Sequence, residues 1–119
     1  MQNKTYTPLS LEIFIYTDPK EFANCKYKPF GEIPEEYWEG FAGINNGKCT
    51  GFAVKNPNEI HIYVEEWCTD TELIETVGHE VGHLMPKAKV FINEESKAGY
   101  YEQFVGDVYR IYCMIKESL

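Results

Sequence analysis

The chain has 119 residues, which is enough for one domain with one hydrophobic core and too few for two, so we predict a single domain over residues 1–119. Hydrophobic residues make up 44% of the chain and aromatic residues 15%, which favours a packed interior over disorder. The formal net charge is -8 and the 11 basic residues are scattered, so we expect no nucleic-acid partner.

No stretch of the sequence approaches the roughly 20 apolar residues that a membrane span needs. Residues 1–10 also lack the basic start and apolar run of a secretion signal. We therefore expect a cytoplasmic protein with no membrane partner.

The four cysteines contain no CxxC pair, which argues against a zinc knuckle and a thioredoxin-like site. We expect free thiols in that compartment, with two disulfides as the alternative. Cys68 stands just before the proposed metal helix, so a second alternative is a thiolate that caps the metal.

The first half of the chain carries strand signals and one short helix signal. Leu, Ile and Ile alternate with Glu, Phe and Tyr over residues 11–17, and this period of two predicts a strand ended by Asp18-Pro19. The remaining predictions are a loop over 24–33, a helix from Pro34 to about Gly43, and strands over 51–54 and 59–64 separated by a turn.

The second half predicts two helices. Thr69 and Glu72 have the spacing of a capping box, and apolar residues then recur at helical spacing until Pro86. A final helix is predicted from Ser96 to about Lys116, with an apolar stripe that includes Ala98, Tyr101, Val105, Val108, Tyr112 and Ile115. Strands and helices in this order predict an α+β domain.

Residues 79–83 read His-Glu-Val-Gly-His, which is an HExxH motif on the first of these two helices. Residues four apart share a helix face, so His79 and His83 can bind one Zn²⁺ ion. Glu80 is rotated by about 100° from His79, which suits a general base that touches a zinc-bound water. Gly78 and Gly82 disfavour the helix, so we expect a close approach by another group.

A catalytic zinc takes three protein ligands and one water, so a third ligand is needed. Pro86 and Lys89 stand where a metzincin has Gly and His, which excludes that class. The remaining candidates are carboxylates near the last helix, and Glu102 is favoured because it flanks the apolar stripe. Asp107 is a candidate for the second shell, and Glu94 and Glu95 are expected simply to favour the helix start.

His61 is the third histidine, and it lies in a predicted strand with Tyr63 on the same face. Such a residue is more often structural than functional. A smaller chance remains that it touches zinc or substrate.

The segment from Gly51 to Tyr109 resembles the zincin metallopeptidases, and HEVGH followed by Glu102 resembles their gluzincin branch. The short chain is similar to the minigluzincins, and Glu102-x-x-Val105 is similar to the Glu-x-x-Ala stretch of ImmA/IrrE-like peptidases, so the subfamily stays open. The resemblance implies a reduced zincin fold with a small mixed sheet, a backing helix, the HExxH helix and a C-terminal helix.

The resemblance also implies two features around the motif. An edge strand that binds extended substrate matches Gly51, Phe52, Ala53 and Val54 by position. A side chain that stabilises the transition state is implied across the cleft, and the candidates are Tyr101, Tyr100, Arg110 and His61.

We therefore expect a zinc-dependent endopeptidase with a polypeptide substrate, in which Glu80 assists the attack of a zinc-bound water. The alternative is a zinc-binding module that cleaves nothing and serves in regulation or in binding a partner. In this alternative the protein could be held latent by oligomerisation. A nonpeptide hydrolase with the same water chemistry is a third possibility.

Overall fold

The computed structural model describes residues 1–26, 49–85 and 91–119. Four strands form one sheet, with the spatial order β1-β2-β4-β3. They are β1 (Gln2–Tyr6), β2 (Leu11–Tyr16), β3 (Cys49–Val54) and β4 (Asn58–Val64). The sheet is mixed, because β2 and β4 run parallel while β1 and β3 are antiparallel to their neighbours. Among the described residues β3 has one neighbour, β4, and forms an edge.

Three helices accompany the sheet: α1 (Pro19–Lys26), α2 (Asp70–Leu84) and α3 (Glu94–Ser118). Helices α2 and α3 pack on one face, and α1 packs on the other. This arrangement confirms the α+β class and the small mixed sheet. No helix within the described ranges is long and apolar enough to cross a membrane.

The larger core lies between the sheet and helices α2 and α3. Alternate residues of β2 and β4 point into it, because side chains along a strand point to opposite faces in turn. From the sheet it contains Leu11, Ile13, Ile15, Ile60, Ile62 and Val64, and from the helices Leu73, Val77, Val81, Val108, Ile111 and Ile115. The intervening residues Tyr16 and Tyr63 pack against Phe22 of α1 on the opposite face.

The strands predicted over residues 11–17, 51–54 and 59–64 are confirmed as β2, β3 and β4. Two elements were not expected. Strand β1 has a polar sequence, and α1 occupies residues 19–26, so the loop predicted from residue 24 is wrong at its start. The helix predicted from Pro34 lies outside the described residues.

Helix α2 begins as predicted. The Thr69 side-chain oxygen accepts a hydrogen bond from the Glu72 backbone N–H at 3.2 Å, which satisfies one of the donors that a helix start leaves unpaired. The helix ends at Leu84, close to the predicted stop at Pro86.

Helix α3 begins two residues earlier than predicted, because Asn93 and Ser96 form a capping box. Its buried side chains are Val108, Ile111 and Ile115. Tyr101 and Val105 are 51% and 63% exposed, so the predicted apolar stripe is wrong for the first half of this helix.

Cys49 and Cys68 form a disulfide, so the expectation of free thiols is wrong for these two residues. The bond joins the start of β3 to the segment that leads into α2. It also removes the Cys68 thiolate that was considered as a metal cap. Cys25 and Cys113 are free.

Candidate metal centre

The HExxH residues lie on the last two turns of α2. Leu73, Val77 and Val81 bury one side of this helix against the sheet, while His79 points to solvent with its side chain 69% exposed. The helix therefore presents its two imidazoles away from the core, as the periodicity predicted.

The two imidazoles converge. The Nε2 atoms of His79 and His83 lie 3.1 Å apart, and the ring planes are nearly perpendicular. Two nitrogens that each lie about 2.0–2.1 Å from one tetrahedral zinc are separated by roughly 3.3 Å. The spacing of these donors therefore fits a shared metal ion.

Glu80 differs from the histidines in its burial, because only 4% of its surface is exposed. Its Oε1 atom lies 3.7 Å from Nε2 of His79. Among the described residues, His79, Glu80 and His83 form the group of side chains whose possible ligand atoms all lie within 4.8 Å of one another. A carboxylate beside two imidazoles, at the edge of a cleft, can exchange a proton with a water held there.

Strand β3 forms the other wall of the site. A Cβ atom on Gly51 would lie 3.1 Å from Cγ of Glu80 and 2.8 Å from the backbone oxygen of His61. Gly51 therefore allows the strand to approach the helix closely. The small side chain of Ala53 lines the same cleft.

Two cavities meet at this point. One has a volume of about 590 Å³ and extends past His83 to Lys55 and Leu84. The other has a volume of about 310 Å³ and extends to Cys49 and Thr76. Both are lined by Gly51, His79 and Glu80, so together they form a groove beside β3.

The other predicted site residues lie elsewhere. Glu102 is exposed on α3 and is not one of the three clustered residues, so its role as a ligand stays a prediction. Asp107 accepts hydrogen bonds from the Tyr6 hydroxyl and from Arg110, so its carboxylate joins α3 to β1. Tyr101 is exposed and contacts the rings of Phe91 and Tyr100.

His61 is buried on the sheet face that α1 covers, whereas Ile60 and Ile62 on either side of it point towards α2 and α3. It therefore does not belong to the candidate metal group, which consists of His79, Glu80 and His83.

The sequence predictions did not include Lys55 in the groove, and they gave disulfides only as the alternative to free thiols. Lys55 directly follows the edge strand, and that position was a usable signal. The Cys49–Cys68 pairing had none, because only folding brings two cysteines 19 positions apart together.

We compared the chain with protein-family models, with curated proteins and with solved structures, and none of them matches.

Proposed function

We propose that this protein is a zinc-dependent endopeptidase of the gluzincin type. The observation that carries the proposal is the convergence of His79 and His83, 3.1 Å apart at Nε2, beside the buried carboxylate of Glu80. A site that served only to hold a metal would gain nothing from a general base at this position.

His79 and His83 would hold the zinc ion, and a carboxylate would complete the site. Zinc bound there would supply Lewis acidity and would lower the pKa of a water molecule to about 7. Glu102 is the residue we propose as third ligand.

Glu80 acts as the general base in this proposal. Its carboxylate takes a proton from the attacking water and then donates it to the leaving amine. Burial under β3 holds this carboxylate in one position, and a fixed position is what proton transfer over a hydrogen-bond distance requires.

The groove beside β3 supports a polypeptide substrate. An edge strand has unpaired backbone N–H and C=O groups, to which an extended peptide can add as a further strand. The small side chain of Ala53 leaves room for such a peptide beside His79, Glu80 and His83. Lys55 at the end of the groove would attract an acidic side chain of the substrate.

The Cys49–Cys68 disulfide bears on the compartment. Disulfides persist in oxidising compartments and are rare where glutathione keeps thiols reduced. The bond therefore favours an oxidising location over the cytoplasm. Acid-quenched thiol labelling of cells that make the protein should leave these two cysteines unlabelled, and full labelling would contradict this location.

A peptide-library digest by the zinc-loaded protein tests the proposed activity. Glu80→Gln should lower the cleavage rate by about 10²- to 10⁴-fold while zinc binding persists. Glu95→Gln, which changes an exposed carboxylate on α3, should cleave like the wild type. If the wild type binds zinc stoichiometrically but leaves every peptide intact, the protein is a silent zinc-binding module instead.

A further inference from the structure

The sheet face that α1 covers holds a second cluster of reactive side chains, and the proposed peptidase does not use it. Nδ1 of His61 lies 3.3 Å from Sγ of Cys25 and 2.8 Å from the Tyr16 hydroxyl. Nε2 of the same ring lies 3.2 Å from a carboxylate oxygen of Glu59. The imidazole of His61 therefore contacts the Cys25 thiol through one nitrogen and the Glu59 carboxylate through the other.

The His61 ring is held rigidly. Phe14 and Phe52 stack on its two faces with centroid distances of 4.4 and 4.3 Å, and both rings are within 6° of parallel to it. The ring therefore cannot turn its nitrogens away from Cys25 and Glu59 without displacing an aromatic side chain. Rigid placement of a base is one of the requirements for general-base catalysis.

Glu59 determines which nitrogen carries the proton. A carboxylate accepts hydrogen bonds, so it favours the tautomer of His61 with hydrogen on Nε2. Nδ1 is then left with a lone pair that faces Cys25 and Tyr16. Glu59 is a positioning residue in this arrangement.

Tyr16 completes the cluster. Its hydroxyl lies 2.8 Å from Sγ of Cys25 and 2.8 Å from Nδ1 of His61, and its one hydrogen can be donated to only one of them at a time. Once Nδ1 holds the thiol proton and donates it to the Tyr16 oxygen, the hydroxyl hydrogen is donated to sulfur and stabilises the negative charge there. Burial and its neighbours raise the pKa of Tyr16, so the hydroxyl keeps its proton and stays a donor. Burial lowers the pKa of His61, so the ring is neutral at neutral pH, and the Glu59 carboxylate opposes this shift because it stabilises the protonated ring.

We propose that Cys25 is a nucleophilic thiol activated by His61 and Glu59, and that it is a site of covalent modification by small carbon electrophiles. In the reaction with an alkyl iodide, the sulfur forms a bond to carbon, the carbon–iodine bond breaks and iodide leaves. The thiol proton passes to Nδ1 of His61. Cys25 is partly exposed, whereas His61 and Tyr16 are buried, so of these three residues the nucleophile is the one that an electrophile can reach.

The inference is independent of the proposed peptidase activity, because the cluster and the metal group lie on opposite faces of the sheet. A merely structural cluster would bury the thiol and slow its reactions. An activated thiol would instead react at pH values where an ordinary thiol is protonated.

The test is the alkylation rate of the metal-free protein with iodoacetamide between pH 6 and 8, with the Cys25 and Cys113 peptides quantified separately by mass spectrometry. The alkylation rate of an unassisted thiol with a pKa of about 8.5 falls by roughly two orders of magnitude between pH 8 and pH 6. We expect the Cys25 rate to change by less than about threefold, because neutral His61 serves as base throughout. The carboxylates of Glu21 and Glu59 act on Tyr16, and Glu59 also acts on His61.

Parallel profiles for Cys25 and Cys113, or a folded protein in which Cys25 does not react, would overturn the proposal. His61→Asn should give Cys25 the steep pH profile of an unassisted thiol and should leave the Cys113 rate unchanged. Glu59→Gln should lower the Cys25 rate at pH 6 several-fold in a protein that remains folded. A flat Cys25 profile in folded His61→Asn would exclude His61 as the base.

Discussion

The backbone of Gly51 lies so close to the side chain of Glu80 that a Cβ atom on Gly51 would stand 3.1 Å from Cγ of Glu80. The same atom would stand 2.8 Å from the backbone oxygen of His61, which cannot move without disturbing β4. Gly51→Ala should therefore lower the free energy of unfolding by about 1–3 kcal/mol. Urea denaturation of the metal-free protein measures this loss, and unchanged stability would contradict the close approach.

Gly82→Ala is the matched variant on the facing helix, with the opposite expected sign. An added Cβ at Gly82 would meet no other atom within 4 Å, so the expected close approach at this glycine is not found among the described residues. Alanine is favoured over glycine inside a helix, so the stability should rise by up to about 1 kcal/mol. A loss of stability in the same denaturation experiment would show that another group packs against Gly82.

The role of Glu102 can be tested by zinc affinity. If its carboxylate is the third ligand, Glu102→Gln should weaken zinc binding by at least about tenfold, measured by competition with a chromophoric chelator. Glu95→Gln removes a charge from the same helix and should leave the affinity unchanged. Equal affinities for both variants would assign the third ligand to another residue.

Removal of the Cys49–Cys68 disulfide should destabilise the protein. The bond closes a loop between residues 19 positions apart, and in the chain-entropy description a loop of this size contributes roughly 3 kcal/mol. The double variant Cys49→Ser/Cys68→Ser should therefore unfold at a clearly lower temperature by calorimetry. Cys113→Ser changes a free cysteine and is the control, and equal unfolding temperatures for the two proteins would refute the expected contribution.

Stability should depend on pH through His61. Burial lowers its pKa in the folded protein below the value of about 6.5 that it has in the unfolded chain. As the pH falls below about 6.5, the unfolded chain takes up a proton that folded His61 does not, so the free energy of unfolding decreases. Above that pH this contribution is constant.

Urea denaturation of the wild type and of His61→Asn at pH 7.5 and pH 5.5 measures the contribution of His61 to the free energy of unfolding. The wild type should lose more stability between these two pH values than the variant does. Equal losses would mean that His61 titrates alike in the folded and unfolded chain.

Local signals predicted the part of the fold that carries the metal group. The spacing of Thr69 and Glu72 predicts the start of α2. The spacing of His79 and His83 places both on one face of the helix, so no tertiary information is needed to predict it. Strand β1 could not be predicted in this way, because its polar residues show no alternation and it is defined by pairing with β2. The sequence did contain a signal for helix α1, because Asp18 followed by Pro19 is typical of a helix start. In the structure Pro19 occupies the first helical position, and Asp18 accepts a hydrogen bond from the Lys20 backbone N–H.

The candidate site was predictable to the same extent. The HExxH residues lie close together because they share one helix. The Cys25–His61–Glu59 cluster joins a helix and a strand, and no spacing in the sequence reports the distance between them. Burial of Glu80 also depends on β3, and in particular on the absence of a side chain at Gly51.

Strand β3 lies between the candidate metal group and the cluster of Cys25, His61 and Glu59. Gly51 faces Glu80 and the metal group, while the next residue, Phe52, covers one face of the His61 ring. A peptide that pairs with this strand would therefore shift residues that contact both sites. Reduction of the disulfide at Cys49, which holds the start of the strand, would do the same. Occupancy of the groove and reactivity of Cys25 should then change together, which gives each site a reporter on the far side of the sheet.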